Sequence, residues 1–284
     1  KINGLLHDKE YVLTETKPAD GFVSATDISF MLKLKIEKAD YLTQIFIKEN
    51  EKFVPAISNK LVMYDDTTKI EFSKTEITGE KEIPGCELEV TDKETGRIMD
   101  KWTSSKDKHI VEGKYVVGKT YMFTEKRPAS GFATAESVEF KISDTGNIQQ
   151  VSMKDDTIKI QFSKIASDTK KLLPGAKYKV LDSKGKKVCE FTTKKKETAL
   201  NGILCAGETY TFVEHQAPKH YKKAKNVKIT VKDTGKIQKI KVVDERIPEV
   251  PDTPQTGYNK SIYLYVLALL FGIGMLAKCL NVKK

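Results

Sequence analysis

Residues 70–76 read IEFSKTE and residues 160–166 read IQFSKIA, an offset of 90. A strand sends successive side chains to opposite faces, so Ile70, Phe72 and Lys74 share one face while Glu71 and Ser73 share the other. The second copy does the same with Ile160, Phe162 and Lys164. A lysine therefore points the way the apolar residues point, twice, at matched positions of a repeat.

Working outward, the repeat extends through the chain. YMFTEKRPASGF at 121–132 returns as YTFVEHQAPKHY at 210–221, and an earlier copy, YVLTETKPADGF, occupies 11–22. DTGNIQQVSMKDD at 144–156 returns as DTGKIQKIKVVDE at 233–245, Pro84-Gly85 returns as Pro174-Gly175, and LVMYDD at 61–66 reads as the end of the first copy. Fixed-period self-similarity of this kind marks an array of domains. The expected units are 1–68, lacking its beginning, then two complete units at 69–158 and 159–247. Short alternating runs of Val, Ile, Phe, Tyr and Thr, broken by Pro-Gly, Thr-Gly and Lys-Gly turns about every ten residues, predict an antiparallel β-sandwich for each unit. The first copy carries an insertion, because Glu15 to Asp65 spans 50 residues where Glu125 to Asp155 spans 30. Its LKLKIEKADYLTQIFIKENEKF segment is compatible with an added hairpin or a short helix.

The alternation places other charges inward as well. In YMFTE the inward set is Tyr121, Phe123 and Glu125, and in YTFVE it is Tyr210, Phe212 and Glu214. In VSMKD it is Val151, Met153 and Asp155, and in IKVVD it is Ile240, Val242 and Asp244. An isolated buried charge costs several kcal/mol, so a lysine and two carboxyls on apolar faces require compensation. One solution is a buried salt-bridge network. The other is chemical: burial disfavours every charged form, so a neutral amine can face a protonated acid. Held together, the two have the effective molarity to condense to an amide, with the glutamate relaying protons as water leaves. The amide carries no charge, which removes the burial penalty.

The FSK strand, the YxxxExxPxxGF element and the terminal VxMxD strand resemble the Cna B-type, or SpaA-like, domains of Gram-positive surface proteins and pilins, with the middle element a variant of the pilin E-box. The resemblance covers nearly all of residues 1–247. It implies an all-β chain of tandem prealbumin-like (reversed immunoglobulin) sandwiches that form autocatalytic Lys to Asn/Asp isopeptide bonds assisted by a glutamate. Carried over by position, Lys74, Glu125 and Asp155 form one triad, and Lys164, Glu214 and Asp244 the next. The first unit keeps the counterparts Glu15 and Asp65, its lysine expected upstream of residue 1. Asp66 and Asp156, next to the predicted acceptors, are alternative acceptors, and His220 replaces the E-box glycine of the last unit.

Composition narrows the function. The net charge is +10, from 49 basic and 39 acidic residues. Lys260, Lys278, Lys283 and Lys284 flank the C-terminal apolar stretch and the remaining lysines alternate with acids, so a solvated lysine-rich surface is expected rather than a nucleic-acid partner. Cys86, Cys189, Cys205 and Cys279 show no CxxC pairing, and His7, His109, His215 and His220 sit in no nucleophile or metal motif, so neither a metal nor a cofactor is expected. Cys86 aligns with Ala176, which predicts a small buried side chain, while Cys189 and Cys205 have the chance to pair if strands bring them together. No Gly-rich phosphate loop occurs. The triads would each be consumed in a single self-crosslinking turnover, so an enzyme acting on external substrate is not expected.

After Asp244 the chain reads IPEVPDTPQTG, with Pro248, Pro251 and Pro254 spaced by three, a semi-rigid spacer within a linker at 248–260. Residues 261–284 then read as one membrane-spanning helix and a basic tail: Ile262–Ala277 is uncharged, and at about 1.5 Å per residue it spans roughly 24 Å. Flanking lysines put the C-terminus inside. The order TPQTG, apolar run, basic tail resembles a sortase cell-wall sorting signal, with Thr253, Pro254, Gln255, Thr256 and Gly257 in the LPxTG places and Thr253 where leucine is usual. The resemblance implies cleavage between Thr256 and Gly257, with sortase and then peptidoglycan as partners and the membrane holding the helix beforehand. The chain opens Lys1-Ile2-Asn3, so a mature segment or fragment is expected, with any host or matrix ligand contacted by an upstream region. The whole reads as the cell-wall-anchored stalk of a surface adhesin or pilin-related protein. A basal pilin, or an adhesin module retained as a single-pass membrane protein, is the alternative.

Overall fold

Alternation of apolar and polar residues builds strands along the whole of the described residues, 3–38 and 40–249 of a computed structural model, with turns and loops between them. The first unit holds β1 (Glu10–Leu13), β2 (Ile28–Glu37), β3 (Asp40–Glu49) and β4 (Lys52–Pro55). The second holds β5 (Lys69–Glu76), β6 (Glu87–Asp92), β7 (Ile98–Thr103), β8 (His109–Glu112), β9 (Thr120–Arg127), β10 (Val138–Lys141) and β11 (Ile148–Asp155). The third repeats that order with β12 (Ile160–Ala166), β13 (Lys177–Leu181), β14 (Lys187–Thr192), β15 (Thr198–Ala199), β16 (Thr209–Gln216), β17 (Val227–Thr230) and β18 (Gln238–Asp244).

Each of the last two units is a sandwich. In the second, β10-β9-β6-β7 faces β11-β5-β8; in the third, β17-β16-β13-β14 faces β18-β12-β15. The inner faces carry the predicted alternation: Ile70, Phe72 and Lys74 are buried on β5, and Ile160, Phe162 and Lys164 on β12. Phe72 sits at the centre of an aromatic cluster, with ring centroids 5.1 Å from Phe123, 5.3 Å from Trp102 and 5.5 Å from Phe140. Phe162 repeats the role against Tyr178 at 4.7 Å and Phe191 at 5.1 Å.

The expectation of a purely antiparallel sandwich is corrected in one respect. β5 and β11 pair in parallel, as do β12 and β18. The chain enters and leaves each unit along neighbouring strands running the same way, and a parallel pair needs a long crossover, supplied here by the rest of the domain. Because side chains on one face recur every second residue, Lys74, opposite Met153, has Asp155 as its diagonal neighbour.

In the first unit the insertion is a hairpin, β2 with β3, closed between Glu37 and Asp40. β1 and β2 keep the pairing of β9 and β10, down to Tyr11 opposite Phe30 where Tyr121 opposes Phe140. The segment 61–66, counterpart of β11, is not a strand, since no counterpart of β5 is present among the described residues to pair with it. Beyond Glu245 the chain forms a separate unit, of which 246–249 are described and Arg246 pairs with Glu249 at 2.6 Å. The expected linker and membrane helix lie outside the described residues, and no helix among the described residues is long and apolar enough to cross a membrane.

Trp102 is the chain's single tryptophan and stacks on His109 with centroids 4.2 Å apart, so its fluorescence reports on the second unit. Phe72→Ala is expected to destabilise that unit by about 3–5 kcal/mol in denaturant titrations followed at Trp102. A loss below about 1 kcal/mol would place Phe72 outside the core.

Candidate functional site

The six inward charges converge in two clusters, one per complete sandwich, and each of the six residues is at most 4% exposed. In the second unit, Lys74 on β5 and Asp155 at the end of β11 lie side by side in one sheet, and the Lys74 Nζ contacts the Asp155 Oδ1. Glu125 comes from β9 in the facing sheet and brings its Oε1 to 3.1 Å from the same Nζ. The third unit repeats this, with the Lys164 Nζ on the Asp244 Oδ1 and 3.1 Å from the Glu214 Oε2. Glu15 and Asp65 are not brought together: no hydrogen bond or ion pair among the described residues links them, and Asp65 is exposed. The strand that would hold Asp65 inward has no neighbour to pair with.

The glutamates are held by a contact that the sequence reading missed. The Ala135 N–H donates to the Glu125 Oε2 at 2.7 Å, the Ala224 N–H to the Glu214 Oε2 at 2.7 Å, and the Ala25 N–H to the Glu15 Oε2 at 2.9 Å. In all three the alanine follows the glutamate by ten residues, so aligning the copies exposes the regularity. The loop after the E-box strand folds back and pins the carboxyl group: in the second unit it holds Oε2 and leaves Oε1 toward Lys74, while in the third the held Oε2 itself faces Lys164. Glu214 Oε1 and Asp244 Oδ2 are buried without a hydrogen bond.

Burial sets the acidity. It pushes the Asp155 carboxyl up to about 6, opposed by the Lys74 ammonium, and raises Asp244 for the same reason against Lys164. Asp66 and Asp156 pair with lysines other than Lys74 and Lys164. Asp156 takes a hydrogen bond from Lys159 at 2.7 Å and Asp66 one from Lys69 at 2.9 Å; Asp156, directly after the end of β11, faces away from the side to which Asp155 points.

The clusters differ in one wall. Cys86 and Leu88 of the second unit stand where the third has Ala176 and Tyr178, and the Tyr178 hydroxyl lies 2.7 Å from the Lys164 Nζ. Period-2 reading places Tyr178 inward but does not direct its hydroxyl. Cys86, Glu125 and Asp155 have ligating atoms within 4.8 Å of one another. The Lys74 ammonium already occupies that space as the cation, and burial raises the thiol to about 11, far from the thiolate a metal requires. Cys189 and Cys205 are unpaired. Thr253, Pro254, Gln255, Thr256 and Gly257 lie outside the described residues.

Two sandwiches with paired first and last strands and an E-box glutamate reaching across are matched by a family described as SpaA: Prealbumin-like fold domain, over residues 68–157 and 158–246. The chain belongs to this family. No curated protein matches it. Among solved structures it is similar to the shaft pilin SpaA from Lactobacillus rhamnosus GG, at 16% identity over 65% of this chain and 99% of that one, with a TM-score of 0.33. It is similar to a Streptococcal ancillary pilin at 16% identity over 78% of this chain and 82% of that one, TM-score 0.30. It is also similar to the open conformation of the pilus adhesin SpaC from Lactobacillus rhamnosus GG, at 12% identity over 85% of this chain and 44% of that one, TM-score 0.39.

In the first complete SpaA-type domain, Asp155→Ala leaves the Lys74 amine buried beside Glu125 alone, and is expected to cost at least about 3–5 kcal/mol in denaturant titration. Asp156→Ala removes a half-exposed pair and is expected to cost under about 1 kcal/mol. Equal losses would contradict the assignment of Asp155 as the partner of Lys74.

Proposed function

We propose that the chain is a pilin-type structural protein of the Gram-positive cell surface, whose two complete domains crosslink themselves through Lys74–Asp155 and Lys164–Asp244 amide bonds. The observation that carries this is the contact of each buried amine with a single aspartate of the neighbouring strand, with a glutamate from the facing sheet 3.1 Å away. The lysine nitrogen adds to the aspartate carboxyl carbon, a C–N bond forms, a C–O bond breaks and one water leaves. The pinned glutamate is placed to take the proton from nitrogen and return it to the departing hydroxyl. Both charges vanish from Lys and Asp, so the product no longer bears the desolvation penalty of the ion pair.

The crosslinks would join residues 81 and 80 apart. By analogy with disulfide loop closure, each stabilises its domain by on the order of 4 kcal/mol, and reductants cannot open it. Because it ties the first strand of a domain to the last, tension entering at Lys74 leaves through Asp155 and spares the strands between. Such a chain suits a load-bearing stalk. We extend the reading to the C-terminus from its sequence order: sortase cleaves between Thr256 and Gly257 and joins Thr256 to peptidoglycan, the apolar run holds the chain in the membrane beforehand, and an upstream region carries any host or matrix contact. Each cluster is spent in one turnover, so the chain is not an enzyme toward other molecules.

Intact-mass spectrometry of the recombinant chain is expected to show a deficit of two waters, and Glu125→Ala to restore one of them. An unshifted wild-type mass would leave only buried salt bridges. Acid is expected to slow the reaction in refolded, initially uncrosslinked chain. Amine plus acid and ammonium plus carboxylate hold the same single proton, so the reactive form is accessible above the Asp155 pKa of about 6, while below it the pair takes up a second proton. The rate of water loss at Lys74 should therefore fall as pH drops through about 6, approaching tenfold per unit; a rate that rises instead would contradict this proton inventory.

A further inference from the structure

Three repeated features play no part in the amide chemistry: the glycine of the E-box, the second residue of the Asp-Asp pair and the Asp-Thr-Gly turn. The structure brings all three to the same place, the junction between one domain and the next. At the first junction the Thr68 N–H donates to the Gly21 carbonyl and the Gly113 N–H to the Thr68 carbonyl, both at 2.9 Å. At the second, the Ile158 N–H donates to Gly131 at 2.8 Å and the Gly202 N–H to Ile158 at 2.9 Å. The connecting segment is thus clasped between the E-box loop behind it and a turn of the domain ahead.

Both glycines of the E-box loop meet the next domain at backbone contact. A Cβ on Gly21 would collide with the carbonyl of Gly113, and one on Gly131 with the carbonyl of Gly202. The Asp-Thr-Gly turn completes the seat. The Asp144 Oδ1 accepts the Ser24 N–H of the preceding domain at 2.7 Å, and the Asp233 Oδ1 accepts the Thr134 N–H at 2.8 Å. The turn's glycine leaves room for the preceding domain's second aspartate: a Cβ on Gly146 would strike Asp66, and one on Gly235 would strike Asp156.

The third copy supplies the internal comparison. His220 stands at the place of Gly21 and Gly131, with φ +66, and its loop still closes through the Tyr221 N–H to Pro218 carbonyl bond that Phe22 and Phe132 make in theirs. A positive φ alone therefore does not demand glycine here. What demands it at 21 and 131 is the neighbouring domain's backbone, since the two rows of atoms leave no space for a side chain.

We propose that these residues form a plug and socket that seats one copy of the domain on the next: the E-box glycine and second aspartate are the plug, and the Asp-Thr-Gly turn with the glycine at 113 or 202 is the socket. The occupant is another SpaA-type domain carrying that socket, and the third domain, with His220 in the plug, is not built to seat one. In the second domain Asp156 thus serves the joint, while Asp155, one residue before it, serves the proposed crosslink.

The test uses the full chain and NMR residual dipolar couplings. The wild type is expected to give one alignment tensor for the second and third domains. Gly131→His, which copies the third domain's own residue, should give two, with both domains retaining their amide dispersion and with tryptic cleavage after Lys159 accelerated about tenfold, as expected for loss of one or two backbone hydrogen bonds. Asp233→Ala, which leaves the plug loop's backbone untouched, should loosen the same joint and decides the matter if Gly131→His unfolds its domain. His220→Gly should leave the joint between the second and third domains unchanged. A single alignment tensor in both Gly131→His and Asp233→Ala, or two tensors in the wild type, would overturn the proposal.

Discussion

An amine and two carboxyl groups packed between apolar sheets must neutralise one another, because each charge left alone there costs several kcal/mol. That requirement organises each complete domain. The parallel pairing of first and last strands puts the lysine diagonal to the aspartate, and the facing sheet supplies the glutamate. Aromatic rings gathered around Phe72 and Phe162 fill the same inner faces. Remove the charge cluster and the alternation of the strands would be an ordinary sandwich pattern; keep it, and the core holds an ion-paired site that ties the two sheets together.

The same strand ends serve a second purpose. Asp155 closes the core of its domain and Asp156, pointing the other way, belongs to the junction with the next. Period 2 splits two adjacent aspartates between the buried Lys74 pair inside a domain and the contact with the next domain. Were the proposed crosslinks formed, a load along the chain would pass from junction to first strand, across the amide to the last strand and into the next junction.

Much of this is legible in the sequence. The inward position of Lys74, Glu125 and Asp155, and of Lys164, Glu214 and Asp244, follows from alternation because strands have only two faces. The alanine that pins each glutamate was missed because it acts through its backbone N–H, which has no side-chain signature. The parallel pairing was missed because residue patterns state that a segment is a strand but not the direction of its neighbour. Alternation turns Asp155 inward and Asp156 outward, but only the register of the parallel pair brings Asp155 to Lys74.

Sequence by itself determined the repeat, the all-β class and the identity of the charges facing the core, since these depend on local periodicity and on turn residues within a few positions. Tertiary structure alone decided that three groups drawn from strands up to 81 residues apart meet at one nitrogen, and that glycines of separate domains touch. Those are facts about distances between segments remote in the chain, and a one-dimensional pattern carries no information on which sheet faces which or how closely two backbones approach.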